Sequence, residues 1–352
     1  MKIAPVMAAM DRRGAAFEQF LVHTGQHYDR QMSRVFVEEL GLPRPDVDLN
    51  VGSAPHAEQT ARVMTAFEPV VADRRPDWVV VAGDVNSTMA CALVCAKLHV
   101  PVAHLEAGLR SFDRTMPEEI NRVVTDHVAD LLLTPSADAD ENLLREGVPA
   151  ARIALVGNVM IDTLVRLLPR ARERGVAATL GLDSGPFVLV TMHRPGNVDD
   201  RGDLGDVVTA LGTLATDVPV VFPVHPRTRR GIDAALEGGV PPGLRLLEPL
   251  GYLDFLSLMD TAAVVVTDSG GVQEETTYLG VPCLTVRPNT ERPVTLRLGT
   301  NRLVERTPAT LVAAVRERLG EPRAAGRAVP LWDGATAPRV VEALLAAPTR
   351  LR

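Results

Sequence analysis

Long apolar runs are missing from this chain, and so are the marks of several large protein classes. No stretch approaches the ~20 apolar residues that a membrane-spanning helix needs. The opening MKIAPVMAAMDRRG meets charge too soon for a secretory signal peptide. Cysteine is scarce: Cys91, Cys95 and Cys283 lie inside apolar segments and form no Cys-x-x-Cys pair. That is the usage of buried free thiols in a reducing compartment, so a cytoplasmic protein is expected, with no membrane partner. Lysine and arginine form no long block and the formal net charge is −7. A nucleic-acid surface is therefore not expected. GxGxxG, HExxH and the phosphate loop GxxxxGK followed by Ser or Thr are all absent. His23 and His27 straddle Thr24-Gly25 rather than sharing a helix face. Neither a metal nor a nicotinamide cofactor is expected.

What is present is ordinary globular composition, 46% hydrophobic and 23% charged, over 352 residues. That length suits two domains. Short Val/Ile/Leu runs alternate with amphipathic stretches. Strands are expected at 17–23, 78–83, 100–106, 129–135 and 152–157, then at 187–193, 218–225, 244–250, 262–268 and 281–287. Runs that are continuous rather than alternating indicate parallel strands covered on both faces. The expected architecture is α/β, with two Rossmann-like doubly wound domains and a cleft between them. The first would span 1–165, with the last helix within 335–352 packing back on it, and the second 166–334. A doubly wound domain opens with a strand and a tight turn, whereas this sequence opens with helix-like Ile3 to Arg13. The first strand of domain 1 is expected to be absent, and Met1 to be an internal residue of a longer natural chain.

Ligands of such sheets lie beyond the carboxyl ends of the strands. Asp84 follows WVVVAG and Glu106 ends VPVAHL, so neighbouring strands would set two carboxylates side by side. Asp84 also reads as a turn residue ahead of a helix. A third acid lies in Pro117-Glu118-Glu119, where proline suits the first helical position and both glutamates complement the helix dipole. Ile120, Val123, Val124, His127 and Val128 share a helical face, so His127 is expected in the core. In the second half His193-Arg194 and His225-Pro226-Arg227 follow strands and place cationic groups at their ends. VVVTDSGGVQEE reads as strand, turn and helix. Gly270 and Gly271 let backbone N–H groups approach phosphate oxygens, and the helix carries a carboxylate one turn on. Thr290-Glu291-Arg292-Pro293 adds a charged loop pair.

At these residues the chain resembles the non-hydrolysing UDP-N-acetylglucosamine 2-epimerases, which have the glycosyltransferase B architecture. The segments are TGQH (24–27), GDVNST (83–88), HLEAGLR (104–110), PEEINR (117–122), VGNVMIDTL (156–164), TMHRPGN (191–197), PVHPR (223–227), TDSGGVQEE (267–275) and TERP (290–293). They run in order across nearly the whole chain. The resemblance implies that Asp84, Glu106 and Glu118 surround the sugar, with His193 beside the leaving diphosphate. It implies a substrate-binding set of Lys2, Arg122, Arg194, Asn197, His225, Ser269, Gly270, Gly271, Glu275 and Arg292. Ser269, Gly270 and Gly271 would hold the diphosphate and Glu275 the ribose. Gln26, His27 and Arg62 would belong to an effector site. Pro195-Gly196 and Tyr28-Asp29 depart from family members that are activated by a second UDP-GlcNAc, so reverse epimerisation without that activator is expected. A homodimer is implied. The other readings are an epimerase of another UDP-2-acetamido sugar, a hydrolysing epimerase, a glycosyltransferase, or a nucleotide-sugar-binding remnant without turnover.

Overall fold

Short β-branched runs between turn residues become parallel strands throughout the computed structural model. It describes residues 1–25, 39–198, 201–224, 226–235, 239–321, 323 and 329–347. The chain divides into two compact units, Met1–Thr163 with Pro330–Arg352, and Leu164–Val329.

The strands of the first unit are β1 (Val22–His23), β2 (Val47–Asp48), β3 (Val79–Ala82), β4 (Val102–Leu105), β5 (Leu131–Thr134) and β6 (Ile153–Leu155). β3 to β6 form one parallel sheet in chain order, and β1 pairs with β2 in a separate two-stranded sheet. The helices are α1 (Ile3–Asp11), α2 (His56–Arg74), α3 (Asn86–Lys97), α4 (Pro117–Val128) and α5 (Ala137–Arg145), and α6 (Val159–Arg174) carries the division between the units. One face of the larger sheet is covered by Val63, Phe67 and Val71 of α2 and Ala90, Cys91, Val94 and Cys95 of α3. Val6 and Ala9 of α1 cover the other face with Val340, Val341 and Leu344 of helix Thr336–Ala346. That terminal helix is held by its start: the Asp162 carboxylate accepts from the N–H groups of Thr336 (3.0 Å) and Ala337 (2.7 Å). Two of the orphan donors at the helix N-terminus are thereby satisfied.

The second unit contains β7 (Val188–Thr191), β8 (Val220–Pro223), β9 (Leu244–Leu247), β10 (Val264–Thr267), β11 (Cys283–Val286) and β12 (Asn301–Val304). Its parallel sheet runs β12-β11-β10-β7-β8-β9, the Rossmann order, with the chain reversing direction across the sheet between β7 and β10. Val188, Val220, Phe222, Val264 and Val266 are buried in its core. Each such side chain contributes roughly 1.5–3 kcal/mol. Leaving the sheet at the β7–β10 reversal, the backbone opens the crevice where such folds take ligands.

Candidate active site

In the first unit, β3 and β4 are in register from Val79↔Val102 to Ala82↔Leu105, which brings the residues that follow them together. Glu106 is buried and forms an ion pair with Lys2. Its φ of 73° lies in the left-handed region, unusual for glutamate and of a kind that clusters at functional sites. Opposite it, Gly83 has φ 75°, and a Cβ there would stand 2.6 Å from Lys2 Nζ. A side chain there would displace the Lys2 ammonium, on a backbone conformation that favours glycine.

Asp84 is a partly exposed carboxylate paired with Arg122, which also binds Glu119. Asn121 Nδ2 donates to the Asp84 carbonyl (2.9 Å) and to Asn86 Oδ1 (3.1 Å), fixing the turn from the other side. Glu118 and Glu119 divide sharply. Glu119 is buried and accepts from the N–H and Oγ of Ser111 (3.0 and 2.9 Å) and the N–H of Phe112 (2.9 Å). Glu118 is half-buried and has no hydrogen bond or ion pair among the described residues.

The expected orientation of α4 is corrected. Its buried face is polar, formed by Glu119, Asn121, Arg122, Thr125 and Asp126. His127 is exposed rather than in the core, its Nδ1 2.8 Å from the Val123 carbonyl. The inward face carries the ion-pair and hydrogen-bond framework of the strand ends, while Ile120, Val123, Val124 and Val128 are half-buried, Val128 against the core. Arg122, expected to bind substrate, is buried between two carboxylates of its own unit.

Beneath these groups lies a network that sequence reasoning missed. His104, fully buried on β4, has Nδ1 2.6 Å from Asp126 Oδ1 and Nε2 2.8 Å from the Gly83 carbonyl. The ring thus bridges the Asp126 carboxylate and the Gly83 carbonyl. Asp126 also accepts from Gly108 N (3.1 Å) and Arg110 (2.7 Å), and Arg110 reaches Glu146 through two 2.7–2.8 Å bonds. Burial pushes the Asp126 carboxyl up, but His104 and Arg110 outweigh it and hold it below its usual range. The spacing of His104, Asp126 and Glu146 in sequence carried no signal of this contact.

In the second unit the β7–β10 reversal is closed by Asp268. Its carboxylate accepts from the backbone N–H groups of His193 (3.1 Å) and Arg194 (3.0 Å), and from Asn197 Nδ2 (3.0 Å). Asp268 Oδ1 also lies 3.1 Å from Nδ1 of His193, whose ring is largely exposed. The turn therefore presents the far edge of the imidazole outward. Burial raises the Asp268 carboxyl, yet the bonds from His193, Asn197 and Arg194 hold it below its usual range. Asn197 further donates to the Val286 carbonyl (3.1 Å), so it braces the loop from within.

Ser269 occupies the N-cap position of α7, which spans Gly270–Leu279, without a side-chain capping bond, and the first-turn N–H groups of that helix start at the ligand end of β10. A Cβ on Gly270 would collide with the Arg292 guanidinium and stand 2.8 Å from Glu291 Oε1, so this position needs glycine. Arg292 is buried against Glu274 (2.8 Å) and Glu291, and Arg287 pairs with the other Glu291 oxygen (2.8 Å). Arg194 lies 3.8 Å from Glu291. Glu275 is buried and accepts from Tyr252 Oη at 2.6 Å. Burial and the neighbouring Glu274 charge push it up to about 7, against the opposing Tyr252 bond.

Arg62 is exposed on α2 and pairs with Glu58. Gln26, His27 and His225 lie outside the described residues. No group of three or more metal-ligating side chains occurs among the described residues.

The family profile of UDP-N-acetylglucosamine 2-epimerase matches residues 9–345. The UDP-N-acetylglucosamine 2-epimerase of Methanocaldococcus jannaschii is 40% identical over 355 residues, 98% of this chain and 95% of the relative. The UDP-2,3-diacetamido-2,3-dideoxy-D-glucuronate 2-epimerase of Pseudomonas aeruginosa is 43% identical over 307 residues, 86% of this chain and 84% of the relative. The crystal structure of the M. jannaschii enzyme in complex with UDP-GlcNAc and UDP superposes with a TM-score of 0.89, covering 98% of this chain and 96% of that one at 40% identity. This chain belongs to the UDP-N-acetylglucosamine 2-epimerase family.

Proposed function

We propose that this protein interconverts UDP-GlcNAc and UDP-ManNAc by inverting carbon 2, without net hydrolysis. The observation that carries this reading is the set of carboxylates in the first unit. Asp84 and Glu106 follow adjacent strands, each beside a cation, and Glu118 lies at the start of α4 without an ion-pair partner among the described residues. The carbon 2 proton of UDP-GlcNAc is not next to a carbonyl, so direct removal is difficult. Departure of UDP makes the sugar oxocarbenium-like and that proton acidic.

In the proposed sequence the bond from carbon 1 to the diphosphate oxygen breaks, and UDP leaves with the electron pair. A carboxylate then takes the carbon 2 proton, giving neutral 2-acetamidoglucal. Protonation of carbon 2 from the opposite face and return of the UDP oxygen to carbon 1 complete the inversion. Asp84, Glu106 and Glu118 stabilise the cation and move the proton. His193, oriented by Asp268, donates to the departing diphosphate. Ser269, Gly270 and Gly271 receive the diphosphate at the helix start, where N–H groups and the dipole favour negative charge. Arg194 and Asn197 belong to the same turn, Arg292 supports the loop behind it, and Glu275 takes the ribose hydroxyls.

The three buried thiols, pushed up to about 12 for Cys91 and Cys95 and about 11 for Cys283, suit work in the cytoplasm. We read the enzyme as a homodimer, which light scattering tests. Incubation with UDP-GlcNAc in deuterated water, followed by proton NMR, tests the reaction. UDP-ManNAc should appear with deuterium at carbon 2. Free ManNAc with UDP would establish a hydrolysing enzyme instead, and an unchanged spectrum would leave a binding protein. UDP-2,3-diacetamido-glucuronate in a parallel tube tests the choice of sugar.

A further inference from the structure

We propose that Phe112 covers the apolar face of the sugar and retains the glycal intermediate; this rests on the epimerase reading above. Phe112 is the most exposed large hydrophobic residue among the described ones, at 70%. Its φ of 59° is left-handed, a genuine outlier for a bulky side chain. An aromatic ring that contributes nothing to the core, on a backbone that disfavours it, requires something to hold it there.

The holding group is Glu119. Its carboxylate, 2% exposed, takes the Phe112 N–H on one oxygen and the Ser111 N–H and hydroxyl on the other. Arg122 binds the same Glu119 and also binds Asp84. The side chain that pins the Phe112 loop and the carboxylate proposed for proton chemistry therefore share one arginine. The loop itself joins the other two proposed acids, since Phe112 stands six residues from Glu106 and six from Glu118. The Phe112 backbone is thus tied through Glu119 and Arg122 to Asp84, and its ring is left exposed on the loop between the other two acids.

Pyranose rings offer an apolar C–H face, and aromatic rings bind such faces through dispersion and weak polar attraction. The ligand chemistry is thus the hexose portion of a UDP-sugar. The glycal, once detached from UDP, is a small neutral molecule that no ion pair restrains. An apolar cover is the contact suited to keep it in place for re-addition.

The test compares wild type with Phe112→Gly, Phe112→Leu and Phe112→Tyr. Glycine relieves the left-handed strain, so Phe112→Gly should keep or raise the melting temperature. Its KM for UDP-GlcNAc should rise about fivefold to tenfold, the range of one aromatic contact. UDP alone should bind within about twofold of wild type. Free 2-acetamidoglucal should accumulate in NMR time courses, with Phe112→Tyr restoring retention and Phe112→Leu falling between. Unchanged KM and glycal release would overturn the proposal. So would parallel loss of UDP and UDP-GlcNAc affinity, or dissociation into monomers as the sole effect, which would make Phe112 an interface residue. If wild type does not epimerise, the reaction assignment fails separately. The difference between UDP and UDP-GlcNAc affinities then still decides whether Phe112 contacts the sugar.

Discussion

The two units place polar groups at equivalent positions, the carboxyl ends of parallel strands, yet equip them differently. In the first unit several acids pair with basic side chains: Glu106 with Lys2, Asp84 and Glu119 with the shared Arg122, Asp126 with His104 and Arg110. In the second, the strand ends present backbone donors. Asp268 gathers N–H groups to shape a turn, and Ser269 to Gly271 open a helix. The contrast fits the proposed assignment of two tasks to the two sheets. Paired, oriented acids suit proton transfer, and a helix start with close backbone approach suits anion binding.

The largest effect should come from breaking the first half. Asp84→Asn, Glu106→Gln and Glu118→Gln should each lower turnover by roughly 10²-fold or more while preserving shape. A variant with near-wild-type kcat would reduce that residue to a turn or helix-start role. Next comes the second half. Gly270→Ala forces a methyl against Arg292 and Glu291, and should weaken UDP binding at least about tenfold by calorimetry as the loop shifts. Unaltered UDP affinity there would argue that the helix start does not meet the diphosphate.

A smaller effect is a pH dependence that singles out Glu275 of the second unit. Glu275 ordinarily titrates near 4.5 but is raised to about 7 in the fold. Between those values the folded protein keeps a proton that the unfolded chain has lost, so its contribution to stability falls as pH rises through that window. Asp126 and Asp268 are lowered instead, and their contributions are present above 3.8 and lost as pH falls below it. Melting temperatures from pH 4.5 to 7 should therefore decline less in Glu275→Gln than in wild type. Identical slopes would assign the decline to other groups. Smallest of all, His127→Ala should stay within about 0.5 kcal/mol of wild type, because the ring is exposed. A multi-kilocalorie loss in denaturant titration would put that ring back in the core.

Much of the fold was legible because buried parallel strands write themselves as apolar runs. VVVA, LLLT and VVVT are all strands. β12, Asn301–Val304, was not foreseen, since NRLV mixes polar and apolar residues at an edge of the sheet. On α4 an apolar stripe predicts a core-facing His127, yet a polar network fills the buried side and the ring is exposed. The strand-end acids could be found from sequence, as they follow apolar runs directly. The partners of His104 and Asp268 could not, because they meet only through the fold. Lys2 beside Glu106 is a contact between residues 104 positions apart, invisible to any local pattern.

The proposed division of labour between the units is decided by titrating UDP into the triple variant Asp84→Asn, Glu106→Gln, Glu118→Gln by calorimetry. If the second unit holds the nucleotide, Kd should stay within about twofold of wild type. Loss of UDP binding in that variant would contradict it.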